Sequence, residues 1–345
     1  MHRTALHALA FGFALAVSIT GAAAQNQPAD MLELKLATAD IDINPTTDSV
    51  LKLAGRLGMF EKHGVNVTIV ALEGTPQAVA ALNSGAVDLA DISIEAAIRL
   101  RADNDMPIRG IVSGTLGAPF LIAAKSEIAT VADLVGRTYA IADNGSLDHS
   151  LTQVVLASKG IAADGPSYVP IGAPAARVQA LAAGKVDATT VSYGTFLAVA
   201  DAPGISVLVS PEDFSAASPG LSKFVATLDS TIANKTEALQ RFVTALVEAS
   251  RYFEANPTQW VDAVAAVRDD LPRATLDKTA DFLAGRWCVN GCLNPGELAK
   301  TVTFTYSNPD FKDVKVVTAD DIVNRAFVSA ALEALGAAES GLDKP

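Results

Sequence analysis

Residues 78–93 and 177–192 write one pattern twice, without a gap, at an offset of 99 residues. Val79/Val178, Ala81/Ala180, Leu82/Leu181, Gly85/Gly184, Val87/Val186, Asp88/Asp187 and Ser93/Ser192 coincide. In each copy an Ala/Leu-rich helical stretch stops at a Gly, the residue that tolerates a left-handed C′ position, and a short apolar run follows, as in a buried strand. Such a chain is expected to fold into two similar α/β lobes. Ligands of α/β folds sit beyond the carboxyl ends of parallel strands, so the strand ends Ser93 and Ser192 point to a binding cleft between the lobes.

The first 24 residues read as a secretory signal. Arg3 supplies the positive start, Ala5 to Ile19 is nearly all apolar, and Ala22-Ala23-Ala24 before Gln25 is a small-residue cleavage site. The apolar run is shorter than a membrane span requires, and no Cys stands at the cleavage point to carry a lipid. The expected location is the periplasm of a Gram-negative bacterium. The rest of the chain is long enough for two lobes with substantial cores. Its formal net charge of −12, one unit more negative without Arg3, disfavours nucleic acid and anionic membranes as partners. Cys288 and Cys292, the only cysteines, flank Asn290-Gly291. In an oxidising compartment they read first as a small-loop disulfide, then as free thiols. A metal site comes last, because His63 and His149 do not supply its missing ligands.

Along the chain, Leu32 to Ala37 reads as a first strand running into the polar loop Thr38 to Asn44. A helix from Ser49 to Glu61 and a β-branched strand from Val65 to Ala71 follow. Thr75 is expected to cap the first repeat's helix, with Pro76 as its first residue. Further elements are a helix at Ile94 to Arg101 and a strand at Ile108 to Val112. Ala118 to Ala124 is the expected crossover into the second lobe, where Thr138 to Ile141, Tyr168 to Ile171 and Ile205 to Val209 read as strands. Asn144 to Asp148 opens a helix running to Ser158. Lys223 to Thr227 is the expected return crossover. From Lys235 the chain turns helical, with Leu239, Phe242, Val243, Leu246 and Ser250 on one face through Phe253 and helices at Pro257 to Val267, Thr275 to Leu283 and Ala319 to Leu335.

Phosphate-loop, dinucleotide and paired-cysteine zinc signatures are absent, and no cofactor or metal is implied. Ser146, Asp148 and His149 stand together, but at one helix start and without a nucleophile elbow, so they read as a cap and a first-turn acid. The helix starts Gly74-Thr75 and Gly145-Ser146 and the strand ends Ser93 and Ser192 offer N–H groups and hydroxyls to an anionic oxygen, such as a sulfonate, carboxylate or nitrate. Asp40 and Asp42 in the first loop, with no Lys or Arg in the loops named, favour instead a ligand carrying N–H donors. Phe120 and Tyr193 are candidates to stack on a planar ligand.

Leu57 to Val67, Gly74-Thr75, the Leu82-x-x-Gly85-x-Val87-Asp88 phrase and its second-lobe echo resemble the periplasmic substrate-binding proteins of ABC importers for sulfonates, taurine, nitrate, bicarbonate and thiamine-type pyrimidines. The resemblance covers about Leu32 to Ser250. It implies an α/β fold of type II, two lobes joined by two crossover segments, each a β-sheet flanked by helices, with a helical C-terminal region. Lobe 1 would comprise 31–117 and 226–340, and lobe 2 118–225. It implies a monomer that closes on a small-molecule ligand, hands it to a membrane permease and performs no chemistry. Thr38, Asp40, Asp42, Gly74, Thr75, Ser93, Gly145, Ser146 and Ser192 would line its site. A small organic anion is the leading ligand class, and a neutral or amine-bearing heteroaromatic, such as a thiamine-precursor pyrimidine, the alternative. The family also includes pyrimidine-synthesising enzymes with a Cys- and His-rich site, a feature this chain lacks; a secreted enzyme on the same scaffold is the third reading.

Overall fold

The computed structural model describes residues 31–308 and 311–345. The secretory signal expected over residues 1–24 lies outside the described residues. Among the described residues no helix is long and apolar enough to cross a membrane.

In chain order the first segment runs β1 (Leu32–Thr38), α1 (Ser49–Arg56), α2 (Met59–Lys62), β2 (Val65–Ala71), α3 (Thr75–Asn83), β3 (Leu89–Ser93), α4 (Ile94–Asn104) and β4 (Ile108–Val112). The second runs β5 (Phe120–Lys125), a 3-10 turn at Val131–Leu134, β6 (Thr138–Ile141), α5 (Leu147–Ser158), β7 (Ser167–Pro170), α6 (Pro174–Ala182), β8 (Ala188–Ser192), α7 (Tyr193–Phe196), β9 (Ile205–Val209) and α8 (Pro211–Ala217). The last is β10 (Lys223–Leu228), then α9 (Asp229–Ala255), α10 (Pro257–Ala265), α11 (Arg273–Leu283), α12 (Pro295–Thr305), α13 (Ala319–Ile322) and α14 (Ala326–Leu335).

Two five-stranded sheets result, in the orders β2-β1-β3-β10-β4 and β7-β6-β8-β5-β9. They share one topology. β1 pairs with β2 and β3 in parallel, as β6 does with β7 and β8. The fourth strand of each sheet is antiparallel and comes from a crossover: β10 returns beside β3, and β5 enters beside β8. Both expected crossovers are therefore strands.

Strand periodicity divides the core of the second sheet. Phe120, Ile122 and Ala124 of β5 enter one apolar cluster with Tyr139, Leu151 and Phe214, while Leu121 and Ala123 enter another with Val178, Leu181 and Val191. The first sheet shares one core with the C-terminal helices, in which Leu239, Phe242, Val243 and Leu246 of α9 are buried against the sheet and Phe60 stacks on Phe242 at 5.2 Å.

Several local expectations change. The helix expected from Ser49 to Glu61 is two helices, because Gly58 adopts a left-handed φ of 67° between them. The helix expected from Ala319 to Leu335 is likewise two, interrupted where Val323 bridges Gly110 in parallel. The α12 helix was missed, although Asn294-Pro295 is an N-cap followed by proline at the first helical position, and the Asn294 side chain accepts the Gly296 and Glu297 N–H groups. Cys288 and Cys292 are joined as a disulfide, with Cα atoms 5.0 Å apart.

Candidate functional site

The repeated phrase builds matching halves of the cleft. Gly85 and Gly184 take φ of 72° and 67°, ending α3 and α6 in the left-handed turn that the repeat requires. Asp88 Oδ2 then accepts the Lys35 N–H of β1 at 2.9 Å, and Asp187 Oδ2 accepts the Thr138 N–H of β6 at the same distance. At the strand ends Ser93 Oγ accepts the Ala96 N–H and Ser192 Oγ the Thr195 N–H, both at 3.2 Å, capping the helices that leave the cleft.

Between the halves lies a cavity of about 50 Å³, lined by Asp40, Asn44, Glu73, Gly74, Thr75, Phe120, Ser146, Asp148, Arg177, Ser192 and Lys223, among others. A recess of about 370 Å³ adjoins it at Thr75 and is lined by α3, α4 and the start of α5, including Ser93, Gly145 and His149. A larger recess of about 450 Å³ is lined by the crossovers, α8, α12 and residues 342–344, away from the strand ends.

Asn44 ties the halves together. Its Oδ1 accepts from Ser192 Oγ at 3.0 Å, and its Nδ2 donates to Thr195 Oγ1 at 3.3 Å. The loop after β1 is shaped by Lys52, whose ammonium donates to the carbonyls of Asp40 and Asp42 at 2.6 Å and pairs with Asp48 at 2.7 Å. Burial pushes the Asp48 carboxyl up to about 7 against the pull of Lys52.

Every cation in or under the cavity already has an acid. Lys223 pairs with Asp91 at 2.5 Å, both at most 3% exposed, and Arg177 Nη2 lies 3.7 Å from Asp148 Oδ2. Burial raises the Asp91 carboxyl against the pull of Lys223. Burial also opposes the Lys223 ammonium, but Asp91 and Asp40 outweigh it and hold that pKa above the ordinary lysine value. Among the described residues, Asp40 and Glu73 form no direct ion pair, although Asp40 lies close enough to Lys223 to help hold its pKa up. Asp40 Oδ2 accepts only the Thr47 hydroxyl, at 3.3 Å.

Of the residues read from the sequence, Asp40, Gly74, Thr75, Phe120, Ser146 and Ser192 line the cavity, and Thr75, Ser93 and Gly145 the adjoining recess. Three lie elsewhere. Thr38 is buried beneath the loop, with its hydroxyl 3.3 Å from Asp40 O. Asp42 is exposed, and its carbonyl holds Lys52. The Tyr193 ring stacks on Phe282 of α11 at 4.6 Å instead of facing the cavity. Thr75 is the first residue of α3 rather than its cap: Gly74 occupies the cap position, and Thr75 Oγ1 accepts the Ser93 N–H at 3.4 Å. Ser146 stands at the start of α5 without capping it, its hydroxyl directed to Asp143 O at 2.7 Å and Asp148 Oδ1 at 2.8 Å. His149 Nδ1 accepts the Gly145 N–H, while the Ser146 hydroxyl is held by Asp143 and Asp148.

Sequence reasoning missed Asn44, Arg177 and Lys223, having found the loops free of cations. The two cations enter from the first turn of α6 and the first residue of β10. One signal was present: Arg177 is the only charged residue in α6, at the position where the first copy has Ala78.

The sequence pattern described as NMT1/THI5 like matches residues 49–260, more than half of the chain. A Brucella abortus (strain 2308) protein named only as a binding protein is 28% identical over 218 residues, which is 63% of this chain and 66%, just under two thirds, of the relative. The alkanesulfonate-binding protein SsuA of Xanthomonas axonopodis pv. citri, solved with MOPS bound, superposes with a TM-score of 0.66 at 22% identity, covering 88% of this chain and 98% of that one. The periplasmic nitrate-binding protein NrtA of Synechocystis PCC 6803 superposes with a TM-score of 0.69 at 14% identity, covering 89% and 90%. The fold is that of the periplasmic binding proteins.

Proposed function

Because the chain belongs to the NMT1/THI5-like family, we propose that it is the solute-binding component of an ABC importer. It is exported to the periplasm, captures a small solute between its lobes and delivers it, chemically unchanged, to a membrane permease. Residues 31–117 and 226–340, joined by 223–225 because β10 pairs with β3 from Lys223 onward, act as one lobe and 118–222 as the other, in a monomer that opens and closes about the two crossovers. These crossovers touch where Ser222 Oγ donates to Gly117 O at 2.7 Å. The contacts of Asn44 with Ser192 and Thr195 are made in the closed arrangement and break on opening.

The solute is an amine-bearing planar molecule, of which a thiamine-precursor pyrimidine is one example. The observation that carries this reading is the charge balance: Lys52, Lys223 and Arg177 are each paired with an acid, and Asp40 and Glu73 bring two further carboxylates to the cavity, so acids outnumber cations there. A carboxylate accepts from an amine or ring N–H and repels a sulfonate or nitrate. Phe120 is the aromatic ring lining the cavity. The sulfonate and nitrate named for the structural neighbours support the competing anion reading, as do the helix starts at Gly74 and Ser146.

Calorimetric titration with 4-aminopyrimidine and with methanesulfonate separates the two. The wild type is expected to bind the amine, and Asp40→Asn to weaken that binding about tenfold, the loss of one charged hydrogen bond. Binding of methanesulfonate that tightens in Asp40→Asn, with no binding of the amine, would establish the anion reading.

A further inference from the structure

Arg177 stands at a position that the α/β unit does not need to be charged. In the first copy the same place holds Ala78, wholly buried, and the same helix, glycine turn and strand form around it. In the second copy a guanidinium is buried there, 2% exposed, at the edge of the interlobe cavity. Two of its nitrogens are occupied by the protein: Nη1 donates to Gly172 O at 2.6 Å, and Nη2 to Thr190 O at 3.3 Å while facing Asp148. The third, Nε, is buried with no hydrogen-bond partner among the described residues. Folded proteins rarely leave such a donor unanswered, and Arg presents its N–H groups in a fixed fork, so holding the Nη groups also fixes where Nε–H points.

We infer that Arg177 is a ligand-contacting residue whose Nε–H donates to an acceptor atom of the solute, set beside the N–H group that Asp40 accepts. The inference rests on the amine-bearing reading above and narrows it. The solute carries a donor and an acceptor on one edge, as an amidine, a 4-aminopyrimidine or a carboxamide does, rather than an amine alone. Asp148 positions the guanidinium by charge and by its own anchoring, since it accepts the Ala142 N–H at 2.9 Å and the Ser146 hydroxyl. Because the cavity is only about 50 Å³, it receives this polar edge as the cleft opens and recloses around the ring.

The test compares 4-aminopyrimidine with aniline, which has the ring and the amine but no ring acceptor. Titrations use wild type, Arg177→Lys, which keeps a cation for Asp148 but has no Nε–H, and Arg177→Met. The wild type should prefer 4-aminopyrimidine by about tenfold to a hundredfold, the range for a hydrogen bond to a charged donor, and Arg177→Lys should lose most of that preference. A merely structural role would weaken both probes alike and leave the ratio intact. That result, with 4-aminopyrimidine still bound, overturns the inference and spares the amine-bearing reading. Failure of the wild type to bind either probe overturns both. If the variants do not fold, the Arg Nε–H resonance of the wild type decides: it should move with saturating 4-aminopyrimidine and stay with aniline, and an unmoved resonance in the 4-aminopyrimidine complex overturns the inference.

Discussion

The two repeat copies agree where the side chain serves the backbone and differ in the buried polar groups that lie behind and beside the cleft. Gly85 and Gly184 make the same left-handed turn, Asp88 and Asp187 accept the N–H of the neighbouring strand, and Ser93 and Ser192 cap the next helix. Around this common frame the polar groups are exchanged. The first lobe places an acid on the strand, Asp91, and takes its cation from the crossover strand as Lys223. The second has Thr190 at the equivalent strand position, bonded to Tyr139 and Thr152, and carries its cation on the helix as Arg177. Across from the terminal serines, the crossover strands begin with Lys223 in one lobe and Phe120 in the other. Duplicating the frame fixes a two-lobed cleft; the exchanged positions give its two walls different chemistry.

The largest difference between the lobes should follow from unpairing the buried charge of the first. Lys223→Met leaves Asp91 without its partner and should cost about 3–5 kcal/mol, read as a shift in the denaturant midpoint, whereas Thr190→Val in the second lobe should cost about 1 kcal/mol. Combining Lys223→Met with Asp91→Leu should recover most of the loss. An equal effect at the two sites would refute the asymmetry.

The shared aspartates should instead behave alike. Asp88→Ala and Asp187→Ala each leave a strand N–H without its carboxylate and should each cost about 1–3 kcal/mol by the same measurement. Burial alone would raise the Asp187 carboxyl, but its hydrogen bonds from Lys125 and Thr138 outweigh it and hold the pKa down to about 2. Its contribution is therefore present above the unfolded value near 4 and lost as pH falls from there through about 2. Acid unfolding of Asp187→Asn should lack that part of the slope.

The smallest effects belong to the caps. Ser93→Ala and Ser192→Ala should each cost about 1 kcal/mol. Only Ser192 is also bonded to Asn44 across the cleft, so a double-mutant cycle with Asn44→Ala should show coupling for Ser192 and none for Ser93. Coupling at both would mean that the interlobe contact is not specific to the second copy.

The frame was legible because its residues answer local rules. A glycine ending a helix, an aspartate before a strand and a serine opening the next helix each leave a mark within a few positions, and the repeat displayed all of them twice. The sheet order followed less directly, since the antiparallel entry of β5 and β10 depends on pairings across more than 60 residues. The polar lining of the cleft was half legible. Loop residues such as Asp40 and Thr75 could be placed by their neighbours, but Lys223 reaches the cavity through its register opposite Ser93, and Arg177 through the packing of α6. Tyr193 follows Ser192 directly, yet adjacency could not say that the ring would turn to Phe282. The break at Gly58 could have been expected, since an interior glycine that ends a helical pattern is a turn signal in its own right.

An amine-bearing solute, carried unchanged, is the occupant proposed for the cleft. Native mass spectrometry of protein purified without refolding, followed by denaturation and identification of the released molecule, tests it most directly. An intact small molecule with an N–H donor beside an acceptor, released in a one-to-one ratio, is the expected result. A sulfonate, a nitrate or a molecule chemically altered by the protein would contradict it.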